Sequence, residues 1–204
     1  MKILHKPCID LDTLPGISKI VCLDEAASTQ AVARELAVEG TAERTLVIAE
    51  MQTEGHGRLG RVWESAPGGL YLTLLLKPET GLKFLPDLSI LSGEAVAETI
   101  TNLYGIKTRI KKPNDVYAFA PRRKKWLKVC GVITESSSIN RAPSWLLLGV
   151  GVNLNNPIKL DTAVSVKTIL GKEVSREEFL KEFLQAFWQR YSSWEYASQA
   201  KSSN

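Results

Sequence analysis

Gln52-Thr53-Glu54-Gly55-His56-Gly57-Arg58-Leu59-Gly60-Arg61-Val62-Trp63 packs three glycines, two arginines and a tryptophan into twelve residues. Gly55, Gly57 and Gly60 spell Gly-x-Gly-x-x-Gly, a weak fingerprint shared by dinucleotide-binding turns and kinase phosphate loops. A dinucleotide turn requires a helix to open at the motif. The next residues, Val62-Trp63-Glu64-Ser65-Ala66-Pro67-Gly68-Gly69, hold a proline and two glycines and make a poor helix. A kinase requires His-Arg-Asp and Asp-Phe-Gly sequences, and the chain has neither. Residues 52–69 are therefore an open loop between two strands. Its glycines let backbone N–H groups approach an anion, and Arg58 and Arg61 can grip phosphate or carboxylate in bidentate fashion. A mobile surface loop with solvated arginines has the same composition, so the loop alone names no function.

Working outward, residues 45–49 (Thr-Leu-Val-Ile-Ala) and 70–76 (Leu-Tyr-Leu-Thr-Leu-Leu-Leu) read as strands, the second closed by Lys77-Pro78. Upstream, 24–36 reads as a loop and then a helix capped by Ser28 or Thr29, with Ala31, Ala33 and Leu36 favouring helix. Downstream, Leu88, Leu91, Ala95, Val96 and Ile100 recur at helical spacing and predict a core-facing helix over 85–103. Three more strands are expected at 107–111, 127–135 and 145–153. Turn-forming residues at 120–124 and 136–143 bound the last two. Ser175-Arg176-Glu177-Glu178 has capping-box spacing. It opens a helix whose apolar face is Phe179, Leu180, Phe183, Leu184, Phe187, Trp188 and Tyr191. Grouped strands with helices between them predict an α+β fold on a mixed, mostly antiparallel sheet.

Composition sets the outer bounds. A chain of 204 residues, 44% hydrophobic and 24% charged, makes one domain, with room at most for a small appendage. No apolar run approaches the roughly 18 residues of a membrane span; the longest, 146–153, is broken by Gly149 and Gly151. The start of the chain lacks the apolar stretch of a signal peptide, so the cytoplasm is expected. A formal charge of +4 permits an anionic partner without requiring one. Three scattered cysteines, Cys8, Cys22 and Cys130, form no Cys-x-x-Cys pair or evident disulfide framework, which fits a reducing compartment. With only His5 and His56, no metal cluster of the usual His/Cys type is expected.

Three further segments could carry chemistry. Lys111-Lys112-Pro113-Asn114-Asp115 brings an ammonium, an amide and a carboxylate to a strand-ending turn. It could hold phosphate and, through Asn114 and Asp115, Mg²⁺; it is also ordinary turn chemistry. Lys128 alternates with apolar residues in a strand and either points into a cleft or guards a sheet edge. Gly149-Val150-Gly151-Val152-Asn153 is a strand whose glycines leave room for a ligand or mark a bulge.

In this order and at these spacings the segments resemble the catalytic domain of biotin protein ligases, within the wider biotin/lipoate ligase family. The pattern runs from Leu23 to Val166: Ser28-Thr29 before a helix, Ala49-Glu50-Met51-Gln52 into the glycine loop, and Leu70-Tyr71-Leu72-Thr73. It continues as Lys-x-Pro-Asn-Asp, Lys-x-x-Gly-Val-x-x-Glu, Gly-x-Gly-x-Asn and Ala163-Val164-Ser165-Val166. The resemblance implies the class II aminoacyl-tRNA synthetase/biotin ligase catalytic fold. It implies that ATP and biotin, with Mg²⁺, form biotinyl-5′-adenylate and that the biotinyl group passes to a lysine of a biotin carboxyl carrier domain.

The resemblance also assigns roles. Lys128 and Arg58 are the expected catalytic residues. Ser28, Thr29, Gln52, Gly55, His56, Gly57, Arg58, Lys128 and Gly131 are expected around biotin. Arg58, Arg61, Trp63, Lys111, Asn114, Asp115 and Asn153 are expected around ATP and the adenylate, with Asn114 and Asp115 serving Mg²⁺ through the phosphates. It allows a homodimer, and no membrane partner is expected.

The chain departs from the family pattern at His56, where an arginine is usual, at Lys112, where a tryptophan is usual, and in the basic run Arg122-Arg123-Lys124-Lys125. That run reads as a solvated hairpin tip or as a feature that steers an acidic acceptor. The Arg-Arg-x-x-Gly-Gly-Gly-x-Val-x-His-Asp type of signature found in lipoate and octanoate ligases is absent, which favours biotin over that alternative. A non-catalytic biotin-binding relative is the other alternative. The pattern begins too early for an N-terminal helix-turn-helix domain and ends too late for a C-terminal β-barrel. A single catalytic domain over 1–204, without a DNA-binding role, is therefore the expectation.

Overall fold

The computed structural model describes residues 2–3, 14–78, 85–139 and 142–202. Among them eight strands form one sheet: β1 (Lys2–Ile3), β2 (Lys19–Ala26), β3 (Thr45–Gln52), β4 (Leu70–Leu76), β5 (Thr108–Lys111), β6 (Asp115–Ala120), β7 (Lys125–Ile139) and β8 (Ala142–Val152). Their order is β1-β2-β3-β4-β8-β7-β6-β5. Only β2 and β3 run parallel; every other neighbouring pair is antiparallel. The parallel pair needs a crossover, and helix α1 (Thr29–Val38) supplies it. Helices α2 (Leu85–Tyr104), α3 (Val166–Leu170) and α4 (Arg176–Ser202) complete the fold. It is the mixed α+β architecture that the sequence predicts.

Period-two alternation sorts the side chains into two layers. Leu46 and Ile48 of β3 and Leu70, Leu72, Leu74 and Leu76 of β4 join Leu88, Ala95, Val96 and Ile100 of α2 and Phe179, Phe183 and Phe187 of α4 in the main core. Val47 and Ala49, the alternate residues of β3, pack with Leu75 and Leu147 against Ala33 and Ala37 of α1 on the other face. Both faces of the central strands are thus covered, and β4 is buried at every residue. The sheet continues past α1, which packs on β3, β4 and β8, while α2 runs beneath β5, β6 and β7.

Three strands, β1, β2 and β6, escape the sequence pattern. Asp24 to Ala26, read there as loop, belong to β2, whose backbone is claimed by parallel pairing with β3. β6 begins at Asp115, inside the Pro-Asn-Asp turn signal, and then alternates half-buried and buried residues through Ala120. The expected 136–143 turn is largely strand, because Ser136 pairs with Leu146 and Ser137 with Trp145. β7 lies between β6 and β8, so Lys128 is not an edge lysine. Cys130 is a buried thiol whose surroundings hold it well above the ordinary thiol range. Cys22 is disulfide-bonded, against the expectation from dispersed cysteines, because sequence spacing alone does not fix pairing. Among the described residues no helix is long and apolar enough to cross a membrane.

Candidate active site

On the α1 side of the sheet, where the glycine loop folds back over β4, β7 and β8, lies a cleft of about 440 Å³. One end is a directed hydrogen-bond chain. Thr73 Oγ1, in the middle of apolar β4, donates to Thr29 Oγ1 at 2.9 Å. Thr29 donates through its hydroxyl (3.1 Å) and its backbone N–H (2.8 Å) to Gln52 Oε1. Gln52 Nε2 donates to Ser65 Oγ at 2.7 Å, and Ser65 donates to the Trp63 carbonyl at 3.1 Å. Ser28 caps α1, its extended backbone (φ −156°) bringing the hydroxyl to the Gln30 N–H at 3.2 Å. The network therefore fixes Thr29 and Gln52, two of the expected biotin contacts, before any ligand arrives.

Two buried donors at the cleft, Gln30 Nε2 and Trp63 Nε1, have no partner within hydrogen-bond distance among the described residues, although the Gln30 side chain faces Glu135 closely enough to help hold that carboxyl low. A buried donor left unpaired costs about 1–3 kcal/mol.

Absent side chains shape the floor. A Cβ at Gly151 would lie 2.5 Å from Trp63 Nε1, one at Gly131 3.1 Å from the same ring, and one at Gly149 2.6 Å from Gln30 Oε1. Gly131 and Gly149 both neighbour Gly151's strand position in the β7–β8 ladder, so the three glycines form one bare patch, with Trp63 resting on Gly131 and Gly151 and Gln30 over Gly149. Lys128 lies beside it. Its Nζ is 5.1 Å from the Trp63 ring centre and 2.6 Å from Asp115 Oδ1. The ion pair is half-buried and couples β6 to β7 across the cleft wall. Tyr71, opposite Gly151 on β4, donates its hydroxyl to the Ala66 carbonyl at 2.7 Å; burial raises its pKa well above the ordinary phenol range.

The loop contributes charge at the mouth. Arg58 and Arg61 are exposed and line the cleft, without a side-chain bond to any of the described residues. His56 is also exposed, with Nδ1 3.3 Å from the Glu54 carbonyl and its backbone bridged to Val62. Gly57 N–H closes the turn on the Arg61 carbonyl at 2.7 Å. Gly55 does not line the cleft. It is buried beneath the loop, where a Cβ would strike the Trp63 carbonyl at 2.5 Å. Lys111 and Lys112 border the cleft, but Asn153 does not. Asn153 is buried behind β8 and accepts from Asn156 Nδ2 at 3.1 Å.

The donor set is too small to hold a magnesium ion by itself. Asp115 is paired with Lys128, and Asn114 donates its amide N–H to the Val132 carbonyl at 2.9 Å, which leaves its amide oxygen open. Among the described residues no group of three acidic, His or Cys side chains converges on a point. In chemical terms the cleft joins a hydrogen-bonding end, an aromatic lid over a glycine floor, and a fixed ammonium flanked by two exposed guanidiniums. Such an arrangement suits a polar head group at one end and developing negative charge at the other.

A model of the biotin/lipoate A/B protein ligase family matches residues 23–153, well over half of the chain. The chain belongs to that family. It is 35% identical over 175 residues to the bifunctional ligase/repressor BirA of Bacillus subtilis, covering 82% of this chain and 52% of that protein. It is 33% identical over 173 residues to the biotin--[acetyl-CoA-carboxylase] ligase of Paracoccus denitrificans, covering 79% of this chain and 69% of the relative. Among solved structures, the biotin protein ligase from Aquifex aeolicus in complex with biotin and ATP superposes with a TM-score of 0.74 at 31% identity. That match covers 89% of this chain and 74% of the other. The chain spans about half the length of the Bacillus relatives it matches.

Among the residues expected from this family's pattern, Ser28, Thr29, Gln52, His56, Gly57, Arg58, Arg61, Trp63, Lys111, Asn114, Asp115, Lys128 and Gly131 line the cleft together. Gln30, Thr73, Ser65 and Tyr71 are additions from the structure. Thr73 had a signal, as the one hydroxyl in an otherwise aliphatic run after Tyr71. Gln30 and Ser65 had none, because their roles depend on the turn of α1 and the fold of the loop.

Proposed function

We propose that the chain is an ATP-dependent biotin protein ligase. One observation carries the reading. The ammonium of Lys128 is fixed by Asp115 beside the aromatic lid, at the far side of the cleft from the Ser28–Thr29–Gln52 hydrogen-bonding end. The ureido head of biotin suits that end, where leaving a buried polar group unpaired penalises analogues that lack it. Its carboxylate then reaches Lys128. A carboxylate oxygen attacks the α-phosphorus of ATP, the bond to the β-phosphate oxygen breaks, and pyrophosphate leaves with the electron pair. The product is biotinyl-5′-adenylate. Lys128, with Arg58 and Arg61 swung in from the mouth, neutralises charge that grows at the α-phosphate oxygens.

In the second step the amine of an acceptor lysine, deprotonated, attacks the acyl carbon. The mixed anhydride breaks, AMP leaves, and an amide remains on a biotin carboxyl carrier domain. Magnesium enters in this reading as part of the metal–nucleotide substrate, not as a protein-held ion.

Biotin-dependent ATP–pyrophosphate exchange tests the reading. Wild type is expected to exchange. Lys128→Ala is expected to lose about 100-fold or more, the scale of removing one transition-state charge stabiliser. Exchange with lipoate but not biotin would overturn the substrate, and no exchange with either would favour a binding-only relative.

A further inference from the structure

Beyond the cleft, the same side of the sheet continues over β5, β6 and the first half of β7, where no described helix covers it. α2 lies beneath these strands and α1 stops at β8. Registration decides what this face presents. Val116, Ala118 and Leu127 point into the α2 core. Their alternates meet on the open side: Arg109 pairs with Tyr117, Tyr117 with Lys128, and Phe119 with Trp126. The Arg109 guanidinium lies 4.7 Å from the Trp126 ring centre and 5.8 Å from that of Tyr117. Lys111 Nζ is 5.6 Å from Tyr117, and Phe119 packs on Trp126 at 5.4 Å. This ordered ladder of aromatics and cations starts at the reactive Lys128. It ends at the hairpin tip, where Arg122, Arg123, Lys124 and Lys125 are exposed. Between residues 107 and 130 the only acid is Asp115, and Lys128 already holds it.

We propose that this face docks the acceptor domain, through acidic side chains around the target lysine. The inference rests on the ligase reading, because transfer requires a protein to bring its lysine to the mouth of the cleft. The face is contiguous with that mouth, keeps an excess of positive charge after Asp115 is paired with Lys128 and Asp161 with Arg123, and is built from the residue types that anchor protein interfaces. A nucleic acid fits less well. Bases stack on bare rings, and here Arg109, Lys111 and Phe119 already cover Tyr117 and Trp126.

The test compares wild type with Arg109→Glu and with Arg122→Glu/Lys125→Glu, all full chain, none of these residues belonging to the cleft. Three quantities are read: KM for a biotin carboxyl carrier domain in transfer, biotin-dependent ATP–pyrophosphate exchange, and Kd for a carrier domain whose lysine is replaced by arginine. Each variant is expected to raise KM and Kd about tenfold, with exchange within about twofold of wild type and a weaker dependence of transfer on salt. Unchanged KM and Kd in both variants would overturn the proposal. So would an equal loss in exchange, or binding of a single-stranded RNA oligonucleotide that Arg109→Glu abolishes while KM stays put. If wild type shows no biotin-dependent exchange, the ligase reading fails by itself, and the carrier-domain Kd still decides the docking face.

Discussion

The two faces of the central strands use the same backbone for opposite purposes. Toward α2 and α4, β4 offers four leucines and β8 offers Leu146, Leu148, Val150 and Val152, sealed by three phenylalanines of α4. Toward α1, Leu75 and Leu147 pack on the helix at one end, but the alternate residues at the other end are Tyr71 and Thr73 on β4 and Gly149 and Gly151 on β8, and side chains fill only part of the space there. The sealed face supplies the free energy of folding, and the open face uses the resulting rigidity to hold donors that lack partners among the described residues. Stability and chemistry are therefore separable by a one-residue step along a strand.

That separation can be broken on purpose. Phe183→Ala, fully buried in the sealed layer, is expected to cost about 3–5 kcal/mol of unfolding free energy by denaturant titration. Pyrophosphate exchange per folded molecule should stay near wild type, and a proportionate loss of exchange would show that the layers are coupled. Gly151→Ala should do the reverse. Its Cβ would displace Trp63 from the floor, and the biotin Kd should weaken roughly tenfold, equivalent to about 1.4 kcal/mol, with a smaller loss of unfolding free energy than Phe183→Ala. Tryptophan emission should shift with it; an unchanged spectrum and Kd would mean that Trp63 does not rest on the glycines.

The smallest effect is expected where the layers meet solvent. Arg34 of α1 grips Glu135 of β7 with two bonds of 2.6 and 2.7 Å, and this holds the Glu135 carboxyl below its ordinary range. Both side chains are partly exposed, so Arg34→Ala should cost no more than about 1 kcal/mol at neutral pH. A depressed carboxyl stabilises above its unfolded pKa and loses that contribution as pH falls through the folded value. The difference between wild type and variant should therefore shrink on acidification below about pH 4.3. A gap that persists to low pH would assign the effect to packing.

Much of this was legible in the sequence because it is local. Ser28 as a cap, the loop that no helix follows, and the aliphatic run of β4 are decided within a few residues. The rest depended on pairing between distant segments. Asp115 reads as a turn acid until β6 is laid beside β7, when it becomes the partner of Lys128. Gln30 looks like one more helix residue until Gly149, far along the chain, leaves room for its amide. Asn153 belongs to a recognisable motif, yet the end of β8 carries it behind the cleft wall to Asn156.

The bare patch at Gly131, Gly149 and Gly151 gives the cleft a one-way future. Glycine has no smaller neighbour in the genetic code, so no single substitution at these positions deepens the floor, and every one raises it. Variation there explores only shorter or thinner ligands, while accommodation of bulkier ones has to come from the loop that carries Trp63. The sheet thus sets an upper limit on ligand size, and the loop is the part of the site free to diversify.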